Sequence, residues 1–202
     1  DLEVFVTDMI LDGLVGWWKF DETSGTVAYD SSGNGNNGNL ANGPTWVTGK
    51  IGGALSFDGT DDRLKLPHSL LNGLKDFSIS LYFNESANNT DQHHFLSAAN
   101  SSNSNNFVFG LTASYKFTLN DGVTDTMIIE HQSDHAFPDW SSIIVIRNST
   151  TTKIFVQGEL EAQGTHSGNS LSVSNNGLWI GGDQDSVGGG FSGGQQLNGL
   201  LD

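Results

Sequence analysis

FSISLYF, residues 77 to 83, alternates apolar and polar positions: Phe77, Ile79, Leu81 and Phe83 fall on one side, Ser78, Ser80 and Tyr82 on the other. A two-residue period is that of a strand with one buried face. The same signal recurs in short runs at 14–20 (LVGWWKF), 54–58, 63–66, 93–98, 106–112, 115–119, 126–130, 141–147, 152–157 and 177–182, with clusters of Gly, Asn, Asp and Ser between them. SSIIVIR (141–147) is apolar on both faces, which predicts a central strand. Only HSLLNGL (68–74) offers a turn or two of helix. About a dozen short strands with frequent turn signals predict an all-β domain of two packed antiparallel sheets.

Two stretches read as long polar loops: DSSGNGNNGNLANG (30–43) and the glycine-rich GDQDSVGGGFSGGQQLNG (182–199). The five tryptophans, at 17, 18, 46, 140 and 179, sit in or beside strand patterns. Core and sheet-face packing is the expected role for them, ahead of ligand stacking.

Length adds that 1–202 fits one domain, large enough to bury about 70% of the surface its unfolded chain exposes. No apolar stretch approaches the roughly 20 residues that cross a bilayer as a helix, so membrane insertion is not expected. The net charge of -15 repels nucleic acid phosphates and anionic lipid surfaces. Solubility in salty surroundings accounts for such an excess, and some of the carboxylates can also neutralise bound cations. Cysteine is absent, so no disulfide supports the fold. Richness in Asn, Ser, Thr and Gly suits a secreted or cell-surface bacterial protein. The sequons beginning at Asn84, Asn88, Asn100 and Asn148 carry little weight in so Asn- and Ser-rich a chain.

Two blocks, GWWKFDETSGTVAYDSSGNGNNGNL (16–40) and GKIGGALSFDGTDDRLKLP (49–67), resemble the opening of laminin-G-like, concanavalin A-like jelly-roll domains. DQDSVGGGFSGGQQLNG (183–199) is similar, without a gap, to the calcium loop of pentraxins. HAFPDWSS (135–142) follows a pentraxin pattern in which Phe137 stands where those proteins have cysteine. The resemblance implies a two-sheet jelly roll. It also implies calcium-dependent recognition of glycans or other phosphate- or carboxylate-bearing ligands, in a module of a larger secreted or surface protein.

Calcium takes six to eight oxygens from carboxylates, amides, carbonyls and water. Asp183 and Asp185 are expected to converge on an ion with the carbonyl of Gln184 between them, while Gly188, Gly189 and Gly190 let the loop fold back. By the resemblance, Gln195 adds an amide oxygen, and Asn105 and Asn106 take the places of an acid and an asparagine that the family sets before a strand. Ser192 replaces a carboxylate that bridges to a second calcium in pentraxins, so one ion is expected. The competing reading is an ordinary flexible loop with solvated acids. A second calcium-like spacing, Asp30, Asn34 and Asn36, serves equally as a turn bonded to its own backbone.

An enzyme is the less favoured class. Hydrolysis of a glycosidic bond needs two carboxylates in one groove. Glu130 is isolated at a strand end, while Glu159 and Glu161 fall in an expected hairpin, VQGELEAQG. His93 and His94 are adjacent and face opposite ways in a strand, and His135 reads as structural. A third class is an adhesin repeat with a stabilising calcium alone.

Laminin-G-like domains usually run past a G-x-[IL]-D motif into a last strand. DLEVFVTDMIL (1–11) has that strand's character, and joining the ends gives LNGLLD-DLEVFVTDMIL. Residues 1–11 are therefore expected to supply the closing strand, through a shifted domain boundary or as one unit of a tandem array. Exchange of that strand between copies, giving a dimer, is the alternative.

Overall fold

A computed structural model describes residues 12–85, 93–100, 105–111, 117–120, 126–129, 139–148, 150–166 and 168–202. At 85, 105, 106, 111, 117–120, 126–129, 185, 186, 189 and 192–194 the description is of the backbone. Residues 1–11, Glu130 and His135 lie outside the described residues.

Seventeen strands follow one another among them. The first ten are β1 (Val27–Ala28), β2 (Gly38–Ala41), β3 (Thr45–Thr48), β4 (Gly53–Asp58), β5 (Arg63–Lys65), β6 (Phe77–Glu85), β7 (His93–Ala99), β8 (Asn105–Leu111), β9 (Phe117–Asn120) and β10 (Thr126–Ile129). The rest are β11 (Ser141–Asn148), β12 (Thr151–Val156), β13 (Glu159–Thr165), β14 (Leu178–Ile180), β15 (Gly182–Ser186), β16 (Gly189–Gln196) and β17 (Asn198–Leu201). They form an eight-stranded sheet, β1-β2-β5-β14-β7-β8-β9-β10, a seven-stranded sheet, β13-β12-β11-β6-β17-β4-β3, and the hairpin β15-β16. The ladders are antiparallel and the non-sequential neighbours give the crossed-over order of a jelly roll.

The two large sheets close on one apolar core. Phe83 of β6 meets Phe95 of β7 with ring centroids 5.2 Å apart, and Phe95 meets Phe109 of β8 at 5.4 Å. Ile143, Val145, Ile154 and Val156 line the seven-stranded side, and Leu64, Ala98, Phe107 and Leu178 the other. The alternation of FSISLYF therefore sets the register of β6 as expected, since a one-residue slip would turn its whole apolar set to solvent. β11 is central in its ladder, flanked by β12 and β6, yet only one of its faces is buried; Ile144 on the other face is 36% exposed. Arg147 closes one end of this layer, its guanidinium donating to the carbonyls of Lys75 and of Asn169. VQGELEAQG forms the expected hairpin between β12 and β13, with Gln157 at φ 51° and Gly158 at φ 85° giving the left-handed pair a two-residue turn needs.

Three expectations change. HSLLNGL forms only the 3-10 turn His68–Leu70. Among the described residues LVGWWKF makes a single bridge, Trp18 to Asp30, and side chains take some of its backbone groups: Asn34 donates to Leu14 O at 2.8 Å and Asn36 to Val15 O at 2.7 Å. The glycine-rich stretch read as a loop is a hairpin, β15-β16, turning at Val187 and Gly188, where Gly188 has φ 69°. Trp18 and Trp46 pack against the core as expected, whereas Trp17 is 45% exposed with Lys19 Nζ 4.4 Å from its ring.

Candidate functional site

The hairpin β15-β16 lies on the outer face of the eight-stranded sheet, over β7. Every residue of β7, HHFLSAA, is consequently buried, although a strand at a sandwich surface ordinarily buries one face. Gln184 fixes this docking. Its side chain is fully buried; Nε2 donates to Gly177 O at 2.8 Å, Ser97 Oγ at 3.2 Å and Ser97 O at 3.3 Å, and Oε1 accepts from Gly188 N at 3.0 Å. The same amide thus anchors the hairpin to the sheet and closes its tip. At the base, Arg63 stacks 3.6 Å over the ring of Phe191 and donates to Gln196 Oε1 at 3.1 Å. Phe191 meets Trp179 edge-on at 5.6 Å.

Between the pairs Gly182↔Gln196 and Gln184↔Phe191 the register shifts, so residues 192–195 bulge out opposite Asp183. A bulge of this kind breaks strand alternation and re-aims a side chain. Asp183, 8% exposed, sits with Oδ2 3.9 Å from Nδ1 of His94 on β7. Burial first, and then the neighbouring charge of His93, bring the His94 pKa down to about 4. His94 is therefore neutral at pH 7 and gives Asp183 no positive charge. Because the folded value lies below the ordinary one, neutral His94 contributes stability above pH 6.5 that is lost as the pH falls through about 4. Across the bulge, Gln195 Oε1 is buried without a hydrogen-bond partner among the described residues. An amide oxygen in that condition costs free energy that a cation would recover. The two histidines do face opposite ways: His93 Nδ1 accepts from Asn198 N at 3.4 Å on the core side.

Of the expected ligand set, the structure brings Asp183, Gln184 and Gln195 to one hairpin. The side chains of Asp185, Asn105 and Asn106 lie outside the described residues. The backbone places Asp185 on β15 and Asn105 opposite Ala99, at the end of β7 nearest the hairpin's anchor on Ser97. The Gln184 side chain faces inward as an anchor, which leaves its carbonyl as the group available to an ion.

Asp30, Asn34 and Asn36 form the self-bonded turn that was the alternative to a second metal site. Asp30 Oδ1 accepts from the N–H groups of Trp17 and Ser32, and Oδ2 from Ser32 Oγ and Asn36 N, at 2.8–2.9 Å. Burial acts to raise the Asp30 pKa, but these four bonds outweigh it and hold the carboxyl below its ordinary value. The Asn34 amide donates to Leu14 O and Ser32 Oγ and the Asn36 amide to Val15 O, so these groups are bonded within the turn and its neighbouring backbone.

One acidic group escaped the sequence reading. Asp58, Asp61 and Asp62, in the turn from β4 to β5, each place a carboxylate oxygen within 4.8 Å of the others. The D-G-x-D-D run in the block GKIGGALSFDGTDDRLKLP was its signal. Asp58 N donates to Asp62 Oδ2 at 3.1 Å, and Asp58 Oδ1 accepts from Thr60 N at 2.8 Å, so the turn is also partly self-bonded. Burial, then the charge of Asp58, raise the Asp62 pKa. The group could hold a metal ion. It adjoins the hairpin: a Cβ on Gly181 would meet Asp62 O at 2.8 Å.

Residues 58–202 match the Laminin_G_3 model of the concanavalin A-like lectin/glucanases superfamily, and the chain belongs to that family. No curated protein matches it. Among solved structures it is similar to domain 4 of AbnA, an extracellular GH43 arabinanase from Geobacillus stearothermophilus solved with arabinotriose. The TM-score is 0.68 at 18% identity, covering 94% of this chain and 89% of that one. It is also similar to the heptameric SAP-like pentraxin of Limulus polyphemus, with TM-score 0.57 and 17% identity over 73% of this chain and 71% of that one. The binding domain of Paraclostridial Mosquitocidal Protein 1 gives TM-score 0.66 and 15% identity over 95% of this chain, which spans 47% of that one. These likenesses establish the shared fold. Among the described residues no helix is long and apolar enough to cross a membrane.

Proposed function

We propose that the chain is a calcium-dependent ligand-binding module, most simply a carbohydrate-binding one, of a larger extracellular or cell-surface protein. One calcium ion sits in the bulge of the β15-β16 hairpin. Asp183, Asp185, the Gln184 carbonyl and Gln195 hold it, with Asn105 and Asn106 contributing from the start of β8. The observation that carries this reading is the buried, unpartnered Gln195 Oε1 across the bulge from the buried carboxylate of Asp183. Two carboxylates among neutral oxygens suit an affinity of about 10⁻⁴–10⁻³ M, the range of extracellular calcium modules. Coordination positions left to water are where a sugar hydroxyl pair, a carboxylate or a phosphate enters.

The likeness to a domain solved with arabinotriose and to a pentraxin supports the ligand class. Binding is favoured over catalysis on the sequence reading of Glu159 and Glu161 as hairpin residues, which fits their place on β13, an edge strand. A glycan array probed with and without chelator tests the reading. Binding that needs calcium is the expected result. Silence on every glycan in calcium would instead favour a structural repeat whose ion only stiffens the hairpin, and turnover of a polysaccharide would favour an enzyme.

A further inference from the structure

His94 is buried on the outer face of β7, and one of its ring nitrogens has no bond to make there. Nδ1 is closed off from solvent and has no hydrogen-bond partner among the described residues. The group it faces is Asp183 Oδ2 at 3.9 Å, which is beyond the reach of a hydrogen bond. Histidine and aspartate are therefore neighbours here without being bonded to each other.

The aim of the ring is built into the next strand. β8 pairs with β7 so that Gly110 stands opposite His94, and a Cβ on Gly110 would meet His94 Cδ2 at 2.6 Å and His94 Cα at 2.7 Å. Gly110 is not in the left-handed region, so its missing side chain, and not backbone freedom, is what this position uses. The Cδ2 edge of the imidazole lies against bare backbone. Nδ1, on the other edge of the ring, is thereby turned away from β8 and toward the hairpin. Across the bulge stands the second buried atom without a hydrogen-bond partner, Gln195 Oε1. A neutral imidazole, a carboxylate and an amide oxygen thus face one place from two elements, β7 and the hairpin.

This donor set differs from a calcium cage by one atom. Calcium takes oxygen ligands, whereas an imidazole nitrogen suits zinc and its first-row neighbours. With zinc at about 2.0–2.2 Å from nitrogen and oxygen, two ligands of one ion stand at most about 4.2 Å apart, and about 3.4 Å apart at the tetrahedral angle. The separation of 3.9 Å falls between these limits. Closing by about half an ångström, a small rotation of the carboxylate, would complete the pair.

We propose that His94 Nδ1, Asp183 Oδ2 and Gln195 Oε1 form a mixed nitrogen–oxygen site that takes zinc, or a similar first-row divalent cation, in competition with calcium. The proposal rests on the cation site placed above at the bulge, from which it takes Asp183 and Gln195, and it adds the nitrogen ligand that decides which ion is held more tightly. Because Asp183 is shared, the two ions exclude one another. Three protein ligands leave a fourth tetrahedral position to water or to an oxygen of the bound partner.

The test uses the full chain and zinc alone. In the unaltered protein, nuclear magnetic resonance of the histidine ring nitrogens is expected to show His94 Nδ1 moving on addition of zinc and staying in place on addition of calcium. His94→Phe keeps a flat ring over Gly110 and removes the nitrogen; zinc affinity is expected to fall by about 10-fold or more, while calcium affinity stays within about 3-fold. Calcium added to the zinc-loaded protein is expected to weaken the apparent zinc affinity. Zinc binding that leaves His94 Nδ1 unmoved would overturn the proposal while the calcium reading stands, and this readout needs no substitution to fold. Failure of the unaltered chain to bind either cation would overturn both readings together.

Discussion

Changing Asp183 and Asp185 together to asparagine is expected to weaken calcium binding by about 100-fold or more, since affinity at such sites is set by the number of ligand charges and these are the two the hairpin provides. Isothermal titration with calcium reads this directly. The melting temperature in chelator should change little, because Gln184 anchors the hairpin to the sheet. Calcium-dependent glycan binding should fall with the calcium affinity. Unchanged calcium binding in the double variant would place the ion elsewhere, with Asp58, Asp61 and Asp62 the first group to examine.

Gln184→Ala is expected to act in the opposite sense, on stability first. The alanine leaves Gly188 N without its acceptor and Gly177 O and Ser97 without a donor, and it opens a cavity where a fully buried side chain had been. Unsatisfied buried groups cost about 1–3 kcal/mol each, so a loss of about 3 kcal/mol follows even with partial relaxation. For a domain of this size that corresponds to a melting point lower by roughly 6–12 °C, with or without calcium. Calcium affinity at the proposed site should weaken as well, because this amide anchors the hairpin that carries Asp183. Glutamate at the same position keeps the acceptor for Gly188 N but sets a charge against the Gly177 carbonyl, and should be worse than glutamine in both measurements.

The fold was legible where burial imposes a period. FSISLYF and TKIFVQ alternate because one face of β6 and of β12 meets the core, and the sandwich follows from a run of such segments. The Gly-rich hairpin was not legible as strands. Phe191 is the single large apolar side chain of β16, and the hairpin is held by ladder bonds and by an amide buried under it, neither of which leaves a hydrophobic rhythm. LVGWWKF failed for the converse reason: it has the apolar character of a strand, but Asp30, Asn34 and Asn36 occupy its backbone groups.

The candidate site was legible only through its resemblance to a calcium loop. The residues alone named Asp183 and Asp185; that Gln184 would be an anchor, and that a bulge would set Gln195 opposite Asp183, depends on the register of β16, which no local pattern encodes. The opposed directions of His93 and His94 could be read from adjacency alone, whereas the neutrality of His94 comes from the hairpin lying over it. Asp58, Asp61 and Asp62 are close in sequence as well as in space. They were passed over because the block that holds them, GKIGGALSFDGTDDRLKLP, was read for its family resemblance alone.

The most direct measurement is anomalous diffraction from crystals of the full chain soaked in a calcium surrogate such as manganese. One peak within coordination distance of Asp183 and of Gln195 Oε1 is the predicted result. A peak confined to Asp58, Asp61 and Asp62, or Asp183 and Gln195 apart with no ion between them, would contradict it.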